Sequence, residues 1–580
     1  MIFDGSFIIP RCASSKFDIR RPSQVCFAFS LPPRSLPHAS CLPPPSAMLL
    51  LIAAAFFNIA CAANVLAPNI SACNEPIGVP YAEEHYRCCA PVPSYEPQLF
   101  RPPVPSAGDI IRVRRTSHSA DDKYASKLAR AYSLMKELPA EDPRSFVQQA
   151  NIHCAYCNSV YSQMNSSERF QAHHSWLFFP FHRWYLYFHE RILAKLLGDD
   201  TFSLTFWNYD HPNSTDIPWL YSAALSPYFA LCTALRDASI DHPSSTAALD
   251  YSIDTDARSR NVQLSENDNV MYRSLIRDAT TAEEFFGFPL RPGETQMSQM
   301  GAGTVELKPH NTVHGWLGNK SSVGWKDMGT FYAAANDPLF YAHHAQLDRL
   351  WEVWKSIPGH VEFDDADYAN AEFLFYNEEG EMVRVKAGDA SNTTKLGYVY
   401  EDVETPWMEA VPQKRSLAPA TLTEENKICE VGEWFVDTPC SFTLDRDPDR
   451  SKSSPWLHEY LELTMQYNTT DIQLNIFLNY PSANATTDTG CEEYVTDYAL
   501  TRYSLMYQDM LAESFEGSKT DKMDITRRLA ALGLTEEKQV VVTIVPRLPL
   551  PPASPGTTAF LSASLVYTSP YESRNEVSSM

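Results

Sequence analysis

The run WLFFPFHRWYLYF, residues 176–188, constrains the fold of this 580-residue chain more than any other feature. Together with the apolar stretch 184–197 that continues it, the run predicts a helix that lies in a protein core. His182 stands in the middle of its aromatic residues. A buried polar group without a partner costs roughly 1–3 kcal/mol. The imidazole therefore needs a partner, and a metal ion can be one.

A second group of histidines has the spacing of a metal site. His310 and His314 in PHNTVHGW are four residues apart, so they lie on one helical face one turn apart. His343 and His344 stand together at the head of a predicted helix over 342–355. No glutamate lies inside the H-x-x-x-H pair, which excludes the metalloprotease motif H-E-x-x-H.

The first group extends to HCAYC, which contains His153 and Cys157, and to the His173–His174 pair. All-imidazole ligation suits zinc, copper, iron or nickel, so the ligand type alone does not select the metal. Two equivalent three-histidine sets without a carboxylate favour a metal that cycles between +1 and +2 and binds oxygen between two centres. Copper is that metal. A structural zinc protein and a dioxygen carrier remain as alternatives.

The chain divides by pattern into regions. From about residue 119 to 400 the pattern is helical, with predicted helices at 122–138, 184–197 and 342–355 and no strand alternation of any length. Residues 404–454 contain prolines and mixed charges and are interpreted as a linker. Alternating runs at 460–467, 471–480 and 540–546 predict strands, and 524–533 predicts a short helix. Residues 548–580 are predicted to be a poorly ordered tail.

Charge and the N-terminal segment restrict partners and compartment. The net charge of −24 disfavours nucleic acid and anionic membranes as partners. The apolar run 48–63 is too short for a stable membrane span and resembles a signal-peptide core with its cleavage site. Residues 1–63 are therefore predicted to be a removed targeting segment. Asn-x-Ser/Thr sequons, the first at Asn69, favour the secretory pathway with an extracellular or vacuolar destination; a plastid thylakoid-lumen address is the alternative.

The chain resembles the plant polyphenol oxidases, the tyrosinase and catechol oxidase family of type-3 dicopper proteins. The resemblance covers roughly 65–547 and rests on HCAYC, WLFFPFHRWYLYF, FWNYD, PHNTVH, MGTFY, DPLFYAHH, LDRLW and LGYVYEDV, in the family's order. It implies a mainly α catalytic domain over 64–403 with a four-helix-bundle dicopper core. After the linker, a β-rich, sandwich- or barrel-like C-terminal shielding domain is expected over 455–547.

The resemblance also implies the cofactor, two copper ions, and their ligands. One copper is expected on His153, His173 and His182. The other is expected on His310, His314 and His344. His174 and His343 are then neighbours of ligands.

Cysteines carry further expectations from the family. A thioether is expected between Cys157 and His173, where it would fix the ligand ring. Disulfides are expected between Cys73 and Cys89 and between Cys88 and Cys154. Cys429 and Cys440 could form a linker disulfide, whereas Cys232 and Cys491 receive no role.

Further positions are expected at or beside the site. Phe331 in MGTFY matches the family's bulky gate, expected over the second copper, and Thr330 replaces the asparagine common before that gate. Glu306 matches a carboxylate that holds a water near the metals. Asn311, directly after His310, is expected to orient the same water. In the helix over 342–355, Asp348 and Arg349 are expected to pair and to orient His344.

The activity implied is the copper-dependent oxidation of o-diphenols to o-quinones, with reduction of O2 to water. The o-hydroxylation of monophenols is left open as a second activity. The family also implies a latent precursor that an activating protease processes. The partners expected are small phenols and O2, without nucleic acid or a stable membrane span. A haemocyanin-like dioxygen-binding protein is the alternative.

Overall fold

The computed structural model describes most of residues 65–568. The larger gaps are 78–87, 251–258, 296–300, 320–326, 413–418, 423–431, 450–456, 468–471, 501–516 and 548–557, with isolated positions within 104–109, 234–243 and 436–437. The targeting segment predicted at 1–63 lies outside the described residues. Among those described, no helix combines the length and the apolar character that a bilayer span requires.

The catalytic region is helical, and its longest helices enclose the aromatic core. Asp121 caps the helix Asp122–Glu137 (α1) by accepting from the Tyr124 N–H, and Gly198 ends the helix Phe178–Leu197 (α3) with φ +66°, a conformation that favours glycine. The predicted helices all exist, and α3 begins six residues earlier than 184. The helices are α1 Asp122–Glu137, α2 Phe146–Cys157, α3 Phe178–Leu197, α4 Arg260–Tyr272, α5 Ala282–Phe286, α6 Asn311–Leu317, α7 Phe331–Ala334, α8 Leu339–Ser356 and α9 Ala366–Asn370.

Small sheets brace the helices. Strand β1, Arg112–Thr116, lies parallel to the two-residue strand Thr205–Phe206 and to a strand at Tyr398–Tyr400. Strands β2, Glu372–Tyr376, and β3, Met382–Lys386, form an antiparallel hairpin. Strand alternation of any length was predicted to be absent before residue 400, and the hairpin shows that this was wrong. Its side chains alternate, and Phe373, Phe375 and Val385 pack into the helical core.

The C-terminal region is a pair of four-stranded antiparallel sheets. One sheet has the order β6–β11–β8–β9 and the other β10–β7–β12–β5, and apolar side chains from both, including Leu461 and Val542, form one core between them. The strands are β4 Tyr398–Tyr400, β5 Gly432–Phe435, β6 Cys440–Asp445, β7 His458–Tyr467, β8 Ile472–Leu478, β9 Tyr494–Leu500, β10 Gly517–Asp524, β11 Gln539–Pro546 and β12 Thr558–Thr568, with the short helix α10 at Thr526–Ala531. A helical core followed by a β-rich domain is the fold class predicted.

Two predicted boundaries need correction. The linker 404–454 includes β5 and β6, and the tail 548–580 includes β12. The β12 strand pairs with β7 along nine residues, from His458 to Gln466, and occupies an interior position in its sheet. The β-rich domain therefore needs residues beyond 547, because without β12 the edge of β7 would be left unpaired.

The two predicted disulfide pairings are present in the structure. Cys73 is bonded to Cys89, and Cys88 is bonded to Cys154 in α2, which ties the N-terminal loop to a helix of the core. Cys440 is also disulfide-bonded, but its proposed partner Cys429 lies outside the described residues.

Candidate dicopper site

Histidines from several helices and the turns that precede them meet inside the helical core. Residue His153 comes from α2, His173 from the loop before α3, and His182 from α3. The turn before α6, the helix α6 itself and the head of α8 provide a second set. Two groups result, and the ligand atoms within each lie within 4.8 Å of one another: His153, Cys157, His173 and His182, and His310, His314, His343 and His344.

The first group is oriented by backbone carbonyls. The Nδ1 atoms of His153 and His182 each lie 2.7 Å from a carbonyl oxygen, of Phe331 and Phe178 respectively. These bonds place the proton on Nδ1 and leave the Nε2 lone pair for a metal. Neither Nε2 atom has a hydrogen-bond partner within the part of the chain described. Buried, correctly protonated and unpaired, these two nitrogens fit a metal ion.

The second group shows the same arrangement. His314 Nδ1 lies 2.8 Å from the Met328 carbonyl oxygen, and His310 Nδ1 lies 2.9 Å from Asn311 Oδ1. His310 Nε2 lacks a hydrogen-bond partner among the described residues. The Nε2 atoms of His314 and His344 are 3.3 Å apart, so both face one point.

The two groups adjoin each other. The His182 and His344 rings stack with centroids 4.3 Å apart, and those of His173 and His310 are 5.3 Å apart. His344 thus lies between the groups, whereas His343 packs against Tyr209 at 5.7 Å. Two metal ions held here would be neighbours and could bind one small molecule between them.

Burial keeps these imidazoles neutral. It lowers the pKa of His182 to about 3 and that of His314 to about 4, and it lowers the pKa values of His153, His310 and His344 well below the ordinary range. A histidine must be deprotonated on one nitrogen to bind a metal, so low pKa values match that role. Neutral imidazoles grouped without a carboxylate ligand suit copper chemistry.

Cys157 belongs to the first group. Its Sγ lies within 4.8 Å of the ligand atoms of the group, including that of His173, and it is buried and outside any disulfide. Burial raises the pKa of this thiol well above its usual range, so the sulfur is protonated in the metal-free protein.

Phe331 lies over the first group, not the second. Its ring stacks on His173 with centroids 4.2 Å apart and an interplanar angle of 11°. The gate was expected over the second copper, and this placement corrects the expectation. The expectation came from the family resemblance, whereas in the structure α7, which begins at Phe331, packs against α2, the helix that carries His153.

Glu306 is fully buried in the turn before α6. Its Oε1 accepts from the backbone N–H of His174 at 2.7 Å, and Oε2 has no hydrogen-bond partner among the described residues. His174 adopts φ +56°, which presents its N–H to this carboxylate. Burial raises the pKa of Glu306. Asn311 uses its Oδ1 on His310, which leaves its Nδ2 as the donor.

Asp348 does not pair with Arg349. It accepts from Tyr398 at 2.6 Å and from Arg114 at 3.2 Å, and it pairs with Arg183, whereas Arg349 binds Asp210 at 3.0 Å. Adjacent helical residues point to different faces, which explains the wrong expectation. Asp348 thus ties α8, one turn after His344, to α3 and to strands β1 and β4.

Removing this carboxylate should be costly. We expect Asp348→Leu to lower the free energy of unfolding by about 3–5 kcal/mol, because the buried Arg114 and Arg183 would each lose a contacting carboxylate and retain one other, Glu190 and Glu352 respectively. Urea unfolding followed by tryptophan fluorescence measures the change. Glu379→Gln is the matched control, since its pair with Lys195 is exposed and should be worth at most about 1 kcal/mol. Equal midpoints for the two variants would contradict the prediction.

Fold and site together define a type-3 dicopper protein. Residues 143–357 match the common central domain of tyrosinase, and residues 362–413 match the polyphenol oxidase middle domain. The chain belongs to the plant polyphenol oxidase family, because it is 35% identical over 506 residues to the chloroplastic latent form of polyphenol oxidase from Prunus armeniaca, covering 84% of this chain and 81% of that protein. Its cofactor is a pair of copper ions.

Two further similarities agree. The chain is 41% identical over 363 residues to an aureusidin synthase of Antirrhinum majus, covering 62% of this chain but only 63% of that protein, just under two thirds. The solved structure of latent apple tyrosinase superposes with TM-score 0.64 at 32% identity, covering 82% of this chain and all of that one. These matches do not favour the haemocyanin alternative. The relative from Prunus armeniaca, below called the apricot relative, is named chloroplastic, which does not support the secretory pathway.

Proposed function

We propose that this chain oxidises o-diphenols to o-quinones and reduces O2 to water at a dicopper site. The first copper is held by His153, His173 and His182, and the second by His310, His314 and His344. The adjacency of the two imidazole groups carries this proposal, with the His182 and His344 rings 4.3 Å apart. His344 is chosen over His343 because it lies between the groups.

The copper pair supplies the two-electron redox chemistry when bound. The chain supplies the rest. The flat pair of rings formed by Phe331 and His173 offers a stacking surface for an aromatic substrate. Surrounding aromatic side chains such as Phe178 and Phe340 keep bulk water out. The open Oε2 of Glu306 can hold a water or a proton beside the site.

The test uses the full chain loaded with copper. Metal analysis should give two coppers, and 4-methylcatechol should be oxidised with uptake of O2. A protein that binds O2 reversibly without consuming the catechol would be a carrier. A protein that takes up zinc and no copper would be structural. Either result would reject the proposed activity.

We propose a thioether between Cys157 and His173, based on the proximity of the two side chains in the first group. The bond would hold the His173 ring as a ligand and restrain it under Phe331. The bond replaces the S–H of Cys157 and one ring C–H of His173, and O2, the oxidant of the proposed reaction, takes up the two electrons and two protons. Peptide mass spectrometry of the copper-loaded protein should find the two peptides joined, with two hydrogens lost. Separate peptides with a free Cys157 thiol would reject it.

We propose a plastid location for the mature enzyme, in place of the secretory pathway. The apricot relative is named chloroplastic, and residues 1–63 include a Pro- and Ser-rich, basic stretch before an apolar run. Import of the full chain into isolated chloroplasts, with loss of the segment, would support this. Uptake by microsomes alone would reject it.

Monophenol hydroxylation is the finer proposal for this site. A phenol with pKa near 10 must lose its proton before it binds a metal, so a base within hydrogen-bond reach, directly or through a water, is needed. Glu306 offers an open oxygen, and Asn311 Nδ2 can donate to the same water. The alternative is that Asn311 only fixes the His310 ring.

We expect Glu306→Gln and Asn311→Ala to lower tyramine hydroxylation by about tenfold or more while changing dopamine oxidation less, since catechol loses its proton more readily. Initial rates on both substrates for each variant and the wild type decide it. If both activities fell in equal proportion, the selective role in deprotonation would be abandoned.

A further inference from the structure

Four charged side chains form a buried cluster between the catalytic region and the β-rich domain. Asp250 and Lys308 come from the catalytic side, and Asp497 and Arg547 from the β side. Arg547 pairs with Asp250 and, at 3.1 Å, with Asp497, which also pairs with Lys308. Exposure of these side chains is 1% for each aspartate, 3% for Arg547 and 15% for Lys308. The pairs of Lys308 with Asp497 and of Arg547 with Asp250 exist only while the domains are docked, because each joins a residue of one domain to a residue of the other.

Lys308 has an unusual place in the chain. It stands midway between Glu306 and His310 in the turn before α6, and it is the residue whose φ of −151° and ψ of 126° interrupt that turn. Only one residue separates Lys308 from Glu306 and one from His310, so a shift of the Lys308 backbone is passed to both. The turn is otherwise closed by the contact of His310 Nδ1 with the Glu306 carbonyl oxygen at 3.2 Å.

If Asp497 were removed, the buried ammonium group of Lys308 would lose this contacting carboxylate. That loss is unfavourable, so the Lys308 side chain would move toward water. The backbone that would follow carries a metal ligand. We propose that Lys308 is a positioning residue for His310 and Glu306, and that Asp497 of the β-rich domain holds it in place. The β-rich domain would then support the second copper site and not only cover it. The inference rests on the ligand role proposed for His310.

The experiment measures copper affinity at equilibrium in the uncut chain, by competition with a Cu(I) chelator. Equilibrium affinity does not depend on how readily the chelator enters, so shielding alone cannot change it. Asp497→Asn and Lys308→Met should each weaken one of the two coppers by about tenfold, as loss of a group that orients a metal ligand does. Lys308→Arg keeps a positive charge beside Asp497, so this variant should bind copper with an affinity close to that of the wild type.

Glu462→Gln is the matched control, because it removes a pair with Lys522 inside the β-rich domain, away from the cluster. If Lys308→Met does not fold, Asp497→Asn decides the matter from the other domain. Two coppers bound by Asp497→Asn as tightly as by the wild type would overturn the proposal. So would an equal loss in Glu462→Gln. The measurement needs no substrate, so its failure leaves catechol oxidation untouched.

Discussion

His182→Ala and His310→Ala should each reduce catechol oxidation to the uncatalysed background and lower the copper content from two per chain to one. Each variant removes one of three imidazoles from a site whose remaining nitrogens cannot complete the coordination. The chemistry needs both metals together, so loss of one copper stops turnover. Oxygen uptake with 4-methylcatechol and metal analysis of the same sample measure the two effects.

Controls separate a lost ligand from a lost fold. His242→Ala should behave as wild type, because His242 is outside both groups and its Nδ1 bonds to nearby Ser244. Comparing His343→Ala with His344→Ala tests the choice within that pair. Only His344→Ala should lose a copper. A His182 or His310 variant that kept two coppers and near wild-type turnover would show the ligand assignment to be wrong.

Much of the site could be predicted because its chemistry lies in local sequence. The spacing of His310 and His314 places them on one helical face, and the aromatic run around His182 demands burial. The choice between His343 and His344 is different. Both are fully buried beside the site, and only the stacking of His344 on His182 distinguishes them, a contact between α3 and α8 that spacing cannot reveal.

The predictions that were wrong concern residues whose partners lie far away in the sequence. Asp348 and Arg349 look like a pair in sequence, yet each binds a distant partner, Arg183 and Asp210 in particular. Lys308 carried no signal, because its partner Asp497 is in another domain. Strand β12 alternates apolar and polar residues, but the proline-rich run ahead of it suggested a tail. A strand placed inside a sheet is recognised by its neighbours, β7 and β5, and those are known only from the fold.

Separation of the β-rich domain should raise activity toward bulky catechols. The domain contacts the catalytic region at α4 and directly after it: Asn269 Nδ2 donates to Asp488 at 2.8 Å, and Arg273 donates to the Thr489 carbonyl oxygen at 2.9 Å. It reaches within two residues of His310 through the pair of Lys308 with Asp497. We expect a domain docked this close to restrict approach to the site, and the relative from Prunus armeniaca is named a latent form.

The cut belongs before β5, because β5 and β6 are part of the β-rich domain. For the experiment, the recognition sequence of a specific protease is introduced within 413–431, inside the predicted linker 404–454. After the cut and separation of the fragments, kcat/KM for a bulky catechol should rise by about tenfold or more, equivalent to ~1.4 kcal/mol of barrier. The rise for 4-methylcatechol should be smaller, since a small ring needs less room.

Assays should contain added copper. Removing the β-rich domain also removes Asp497, and if Lys308 has the role inferred for it, the affinity of the second site for copper falls. The same engineered chain before cutting is its own control. A nicked but unseparated sample distinguishes cutting from release: ion pairs at the interface should keep its activity low until the fragments part. If the uncut chain were already as active as the separated catalytic fragment, without detergent or acid, the docked domain would not restrict the site, and latency would have to be abandoned for this chain.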